Sequence, residues 1–265
     1  MPKLTLGLVG LGNIGTFLAQ GIIDHDLPYK LTFANEVDEQ RANEFCKRFP
    51  EHSVQLTDLD TLAARSKVIV EAAHPSVVPV IAQKALLAAQ QVEATKYLFV
   101  MSVGGLLQLS EEFYRDLSGS YFKIIAPSGA IGGLDAFSSM TLESVDYVRL
   151  TTRKPPEALG RKDKEVTEIY RGAPKPAFEK FPKNVNVSIT LGLATVGLDK
   201  MEFVLVSDPN LTQNIHEIEA SGAAGNVHIV LKNVPSPSNP RTSYIAALSI
   251  ISALRRFSQN LLVGY

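Results

Sequence analysis

Residues 4–19 read LTLGLVGLGNIGTFLA, and no other stretch limits the fold so tightly. A nearly continuous apolar run from Leu4 to Val9 breaks into Gly10-Leu11-Gly12-Asn13-Ile14-Gly15, and a helical pattern begins at once. A short apolar run bounded by glycine reads as a buried strand, and glycines at this spacing turn the chain directly into a helix. Gly10 allows the tight turn, Gly12 leaves the backbone bare for a pyrophosphate, and Gly15 lets the helix lie against its strand. The N–H groups of the first helical turn, beginning at Asn13 and Ile14, then face the phosphates together with the positive end of the helix dipole. The stretch predicts the opening of a dinucleotide-binding unit; a purely structural glycine turn is the alternative. A secretory leader fits poorly, because glycines and Asn13 interrupt the apolar region behind Lys3 and no small-residue cleavage site follows.

Strand and helix patterns then alternate. Lys30–Ala34 reads as a second strand, followed by Asn35-Glu36-Val37-Asp38. An acidic residue about 20 positions past the glycines accepts hydrogen bonds from the adenine ribose hydroxyls. Glu36 is best placed for this, with Asp38 opening the next helix, Glu39–Phe49, which Pro50 ends. A carboxylate at that point repels a 2′-phosphate, which favours NAD over NADP; a solvated surface glutamate is the alternative. Val54–Leu56 is a short strand candidate and Asp58–Ala64 a short helix. Lys67–Glu71 reads as a third buried strand, running into Ala72-Ala73-His74-Pro75 and a helix from Val77 to Ala89. Small residues such as Ala72 and Ala73 at the C-terminal end of a strand suit a cofactor edge, whereas His74 reads as a polar loop residue, a place facing the cofactor being the alternative. Tyr97–Met101 is a fourth strand, Leu106–Leu117 a helix, and Phe122–Ala126 a fifth strand ending in Pro127-Ser128-Gly129-Ala130. The alternation predicts an α/β domain over residues 1–127, a doubly wound parallel sheet of the Rossmann type.

The character changes after that point. Gly132–Leu142 reads as a helix and Asp146–Arg153 as a strand. Lys154–Lys164 is a polar excursion and the expected mobile loop. Phe181-Pro182-Lys183 opens a small-residue helix up to Gly197, and strand patterns follow at Met201–Ser207, Asn214–Ser221 and Asn226–Lys232. Strands in succession with short turns predict an α+β second domain, 128–239, with a mixed or antiparallel sheet. Ser236–Pro240 is a stiff connection, and Thr242 or Ser243 is expected to cap a last helix reaching about Asn260. With Ile245, Leu248, Ile251 and Leu254 as its apolar face, that helix is expected to return to the first domain, giving it residues 240–265 as well.

Composition removes several classes of function. The net charge is −1, from 26 basic and 27 acidic residues, so there is no basic excess for nucleic acid or an anionic membrane. No apolar run approaches the ~20 residues of a membrane span. One cysteine, Cys46, excludes an internal disulfide and fits a reducing, cytoplasmic setting. No CxxC, HExxH or regular carboxylate–histidine spacing marks a metal site, and no GxSxG marks a nucleophile. Of the five histidines, His25 and His52 read as surface and His228 as core or interface. In Asn214-Ile-His216-Glu-Ile218 alternation puts Asn214, His216 and Ile218 on one face, which makes Asn214 a candidate substrate contact. An imidazole exchanges protons near neutrality, as the oxidation of a carbon bearing a heteroatom requires when hydride leaves. Spacing alone leaves a structural histidine equally open. Candidate holders of a substrate carboxylate are Ser128-Gly129-Ala130, Arg241-Thr242-Ser243 and Lys183, each with a plain reading as turn, cap or surface charge.

Longer blocks carry a family resemblance. They are GLVGLGNIG at 7–15, MSVGGL at 101–106, APSGAIGGLDA at 126–136, LTTRKPP at 150–156, FPKNVNV at 181–187, NIHEI at 214–218 and NVPSPSNPRTSYIAALSIISALRR at 233–256. The blocks are collinear and span nearly the whole chain, and in combination the sequence resembles the L-aspartate dehydrogenase family. The resemblance implies oxidation of L-aspartate to iminoaspartate with NAD or NADP, yielding oxaloacetate and ammonia in water or feeding NAD biosynthesis. It also implies a homodimer, an active-site histidine at His216, and cofactor contacts at Ala130 and Asn186. Aspartate is then expected between the domains, with His216 accepting a proton from the amine, activating water or orienting a carboxylate. The chain differs from the family pattern in carrying Asn35-Glu36 after the second strand and His74 where a small residue is usual. Two other functions fit the scaffold: a different imine or carbonyl reductase, and a dinucleotide sensor without catalysis.

Overall fold

The structure, a computed structural model, describes residues 3–182, 184–237 and 239–263, without side-chain detail at 239–241. Two compact units emerge, one running to Pro127 and adding Ile250–Asn260, the other built on Ser128–Ser249. The last helix therefore divides at Ser249, so residues 240–249 group with the second unit rather than the first.

The first unit alternates strand and helix: β1 (Leu4–Val9), α1 (Asn13–Asp24), β2 (Tyr29–Asn35), α2 (Glu39–Arg48), β3 (Gln55–Leu56), α3 (Leu59–Arg65), β4 (Val68–Glu71), α4 (Val78–Val92), β5 (Lys96–Val100), α5 (Glu111–Leu117) and β6 (Phe122–Ile125). The strands form one sheet in the order β3-β2-β1-β4-β5-β6, with every neighbouring pair parallel. This is the doubly wound arrangement that the sequence predicts, with its switch point between β1 and β4. β4 is buried along its whole length, as a central parallel strand covered on both faces must be. Asp38 and Asp58 cap α2 and α3 by accepting the N–H groups of Arg41 and Thr61. The helix expected over Leu106–Leu117 is two pieces, a 3₁₀ segment Val103–Gln108 and then α5. Ser110 separates them: its hydroxyl accepts the Phe113 N–H and restarts the helix.

The second unit contains α6 (Leu134–Met140), β7 (Val145–Lys154), β8 (Thr167–Gly172), α7 (Pro174–Lys180), α8 (Asn186–Ala194), β9 (Glu202–Ser207), β10 (Asn214–Gly222), β11 (Gly225–Asn233), β12 (Pro235–Ser236), β13 (Asn239–Ser243) and the start of α9 (Tyr244–Phe257). Its sheet has the order β11-β10-β7-β9-β8; β7 and β9 run parallel and the other neighbours antiparallel, giving a mixed sheet. β8 and α7 were hidden in the sequence by their polar, proline-rich composition. Residues 239–243 are a strand paired with β12, so Thr242 and Ser243 stand in a small hairpin ahead of α9.

The buried stripe of α9 also differs from the expected one. Ala247, Ile250, Ile251 and Leu254 are buried, whereas Ile245 and Leu248 are well exposed. The expected set was spaced by threes, which drifts about 60° per step around a helix of 3.6 residues per turn and ends half-way round it. The observed set follows the i, i+3, i+4, i+7 rule. Ile250, Ile251 and Leu254 join Leu18, Ile22, Tyr29 and Phe99 in the first unit's core, and Tyr29 Oη donates to the Leu254 carbonyl at 2.8 Å. Tyr29→Phe removes the side-chain donor to that carbonyl, which keeps only the Ser258 N–H at 3.2 Å. The unfolding free energy from urea titration should fall by about 1 kcal/mol.

Candidate active site

In the first unit the site grows out of the turn between β1 and α1. Gly10 has φ +91°, and a Cβ there would stand 2.7 Å from the Ala72 carbonyl oxygen. A Cβ at Gly15 would stand 2.1 Å from the Gly10 carbonyl oxygen. At Gly12 the opposite holds, since a Cβ would enter open space. Gly12 is also the N-cap of α1, with no side-chain cap and no acidic residue in the first turn. Asn13 and Ile14 are the first helical residues, so the positive end of the helix dipole meets the space above Gly12, as a pyrophosphate requires. A cleft of about 360 Å³ continues from Gly10 and Gly12 past Glu36, Arg41, Ala72, Ala73 and His74.

Glu36 does more there than wait for a ribose. One carboxylate oxygen accepts the Leu11 N–H at 2.8 Å; the other accepts from Val37, Asp38 and the Arg41 guanidinium. Burial pushes the carboxyl up, but the Leu11 and Asp38 N–H groups, the Arg41 charge and the Val37 N–H outweigh it and hold the group below the ordinary carboxylate range. Glu36 is thus an anion at neutral pH, tied to the glycine turn itself. Sequence reasoning missed a second carboxylate. Glu71, fully buried at the end of β4, accepts from Ala73 N–H at 2.8 Å and Ser102 N–H at 2.9 Å. It pins the two loops that leave β4 and β5, and burial raises its carboxyl above the usual range. His74 is exposed and bonds Ser76, in keeping with a loop residue.

The second unit carries a buried polar row. β10 alternates, and Asn214, His216, Ile218 and Ala220 face inward. His216 lies opposite Thr152 on β7 and Leu231 on β11; its Nδ1 and the Thr152 hydroxyl are 2.9 Å apart. Two residues along β7, Lys154 Nζ donates to Asn184 Oδ1 at 2.9 Å. Asn214 lies opposite Asn233. Its amide donates to the Ser243 hydroxyl at 3.2 Å, while the Asn233 amide donates to the Ala130 carbonyl at 2.9 Å. That last bond fixes the Ser128-Gly129-Ala130 loop, where Gly129 has φ +64° and a Cβ would touch Val187 of α8 at 3.7 Å. The Gly129 turn thereby lies against Val187 in the first turn of α8. Thr242, half-buried in β13, is not on a helix start. Lys183 and the side chain of Arg241 lie outside the described residues. His52 is half-buried with Nε2 on the Ala19 carbonyl, and His228 is exposed against Glu217.

Lys154 is the residue the sequence concealed. It reads as the first residue of a polar loop before two prolines, yet it is the buried end of β7. The signal was the alternation Leu150, Thr152, Lys154, which continues one face of the strand. Burial pulls its ammonium from the ordinary 10.5 down to about 8. Burial, and then the Lys154 charge, pull the His216 imidazole from 6.5 to about 3, so it is neutral at physiological pH. In the tautomer whose Nδ1–H donates to the Thr152 hydroxyl, the lone pair that can take a proton is on Nε2.

The sign of the His216 effect on stability follows. As pH falls through 6.5 the unfolded chain takes up a proton that the fold refuses until about pH 3. The unfolding free energy of the chain, relative to that of a His216→Asn variant, should be level above pH 6.5 and decline below it. Denaturant titrations at a series of pH values measure that difference.

Comparison with known proteins agrees with both units. Residues 135–257 match the family described as aspartate dehydrogenase, C-terminal, and residues 5–96 match that described as NADP oxidoreductase, coenzyme F420-dependent. The L-aspartate dehydrogenase of Methanocella arvoryzae is 36% identical, over 98% of each chain. That of Methanothermobacter thermautotrophicus is 33% identical over 100% of each. The crystal structure of aspartate dehydrogenase from Thermotoga maritima superposes with a TM-score of 0.77 at 28% identity, covering 98% of this chain and 99% of the other. A scyllo-inositol dehydrogenase from Lactobacillus casei, 15% identical with a TM-score of 0.53, shares the fold. A glycine turn built for a pyridine nucleotide, a buried imidazole on a mixed sheet and full-length similarity lead to one statement: the chain belongs to the L-aspartate dehydrogenase family.

Proposed function

We propose that this protein oxidises L-aspartate to iminoaspartate with a pyridine nucleotide, NAD in preference to NADP, and that the imine then yields oxaloacetate and ammonia. The observation that carries the reading is His216, a fully buried, neutral imidazole held by Thr152, within a chain similar over its whole length to enzymes of that name. When bound, the cofactor supplies the hydride acceptor. The chain's own part is binding and proton handling. Gly10, Gly12 and the first turn of α1 receive the pyrophosphate; the Glu36 carboxylate accepts from ribose hydroxyls and repels a 2′-phosphate. Arg41 offers little to that phosphate, since its guanidinium is already engaged by Glu36 and Asp38. Ala130 and Asn186 serve the nicotinamide end. His216 Nε2 accepts the proton that the substrate amine must lose as hydride leaves C2.

The test is NAD(P)H formation with a panel of L-amino acids. L-Aspartate should be the preferred substrate, and kcat/KM for NAD should exceed that for NADP. His216→Ala should lower kcat by about 10²–10⁴-fold, the usual contribution of a positioned general base, while leaving NADH affinity intact. Full turnover in that variant would remove His216 from the chemistry. Turnover on another imine precursor with none on aspartate would move the chain to a different reductase.

A further inference from the structure

Lys154 has no role in the chemistry above. It lies at the end of β7 with 7% of its surface exposed. An ammonium offers three donors, and among the described residues one acceptor meets it, the neutral Asn184 Oδ1 at 2.9 Å. Two other cations of this sheet are paired. Arg149 meets Glu202 and Glu219, and Arg171 meets Glu168 and Glu202. All five belong to the opposite face, since Arg149 is an odd-numbered residue of β7 and Lys154 an even-numbered one. A buried charge without a counter-ion is costly, and apolar packing would be cheaper if the position served stability alone. The neighbours of Lys154 are Thr152 along its own strand, the buried Ser207 across the β7–β9 ladder and, across the β7–β10 ladder, His216 and Asn214.

We infer that Lys154 is the anchor for a carboxylate of the substrate, its ammonium being the counter-cation that the amino acid meets on the His216 face of the sheet. This rests on the dehydrogenase reading above and adds to it the group that recognises the acid. The contact has a second effect. The Lys154 charge opposes protonation of His216, and a bound carboxylate cancels that charge. The imidazole therefore becomes a better proton acceptor when the substrate is seated, with no movement of the backbone required.

The experiment uses the full-length protein with L-aspartate as substrate and succinate, a dicarboxylate without an amine, as a dead-end probe followed by calorimetry and by inhibition. Lys154→Met should raise KM for L-aspartate and weaken succinate binding on the order of 10²-fold, the scale for removing one partner of a desolvated charge pair. NADH affinity should be unchanged. Lys154→Gln keeps a donor for Asn184 and removes only the charge, so it should lose succinate to the same degree. Asn184→Ala keeps the charge and should retain succinate binding. Recovery of wild-type KM and succinate affinity in Lys154→Gln would assign Lys154 a purely structural tie to Asn184 and overturn the proposal. So would wild-type protein that does not bind succinate. A wild-type protein that binds succinate through Lys154 but does not oxidise L-aspartate would instead overturn the assigned reaction and leave the anchor standing.

Discussion

At Gly15 there is room for a hydrogen atom and nothing larger, because the Gly10 carbonyl oxygen occupies the place where a Cβ would go. That one steric fact brings α1 down onto the end of β1. The turn in between runs against the backbone of Ala72, which fixes the separation of β1 from the loop after β4. The helix begins there without a capping side chain, and the positive end of its dipole lies beside the open space at Gly12. Glu36 then ties the end of β2 to the same turn through the Leu11 N–H. Three strand ends are held by one packing constraint and one charge-assisted hydrogen bond. The cleft shape is thus set before any ligand arrives, and binding needs little reordering of the backbone.

The second unit works from a different constraint, the desolvation of polar groups on one face of its sheet. His216, Thr152, Lys154, Asn214 and Asn233 are all buried, and each finds its partner among the others or in an adjoining loop. Hydrogen-bonded rows of this kind rigidify a site, because a side chain that turns away leaves its neighbour unsatisfied. The imidazole is held neutral by the same burial. Position and protonation state therefore have a single cause.

Most of the first unit could be read directly. Its strands are apolar runs, its helices are opened by Asp38 and Asp58, and the glycine turn names its own purpose. The second unit was legible where strands alternate cleanly, as in Asn214–Ser221, and illegible where composition misleads. Thr167–Gly172 and Pro174–Lys180 are polar edges and a short helix whose existence depends on β9 and α8 for support. Local sequence carries little trace of such tertiary debt. His216 was visible from its place in NIHEI, but its neutrality was not, since that follows from burial and from a lysine 62 positions earlier in the chain. Glu71 likewise reads as the end of a strand. Only the folded loops reveal that both of its oxygens are spoken for.

The helix α9 has a consequence for how the protein is made. The first unit's sheet is complete at Ile125, yet its core includes Ile250, Ile251 and Leu254, and the hydroxyl of Tyr29 has its acceptor on Leu254. During synthesis the residues emerge in order, so the sheet of the first unit leaves the ribosome well before the helix that closes its hydrophobic interior. Until then the nascent chain displays an apolar groove where α9 will lie. A deletion of α9 that spares every residue of the cleft would expose that same groove permanently, which makes this helix a solubility determinant for the first unit.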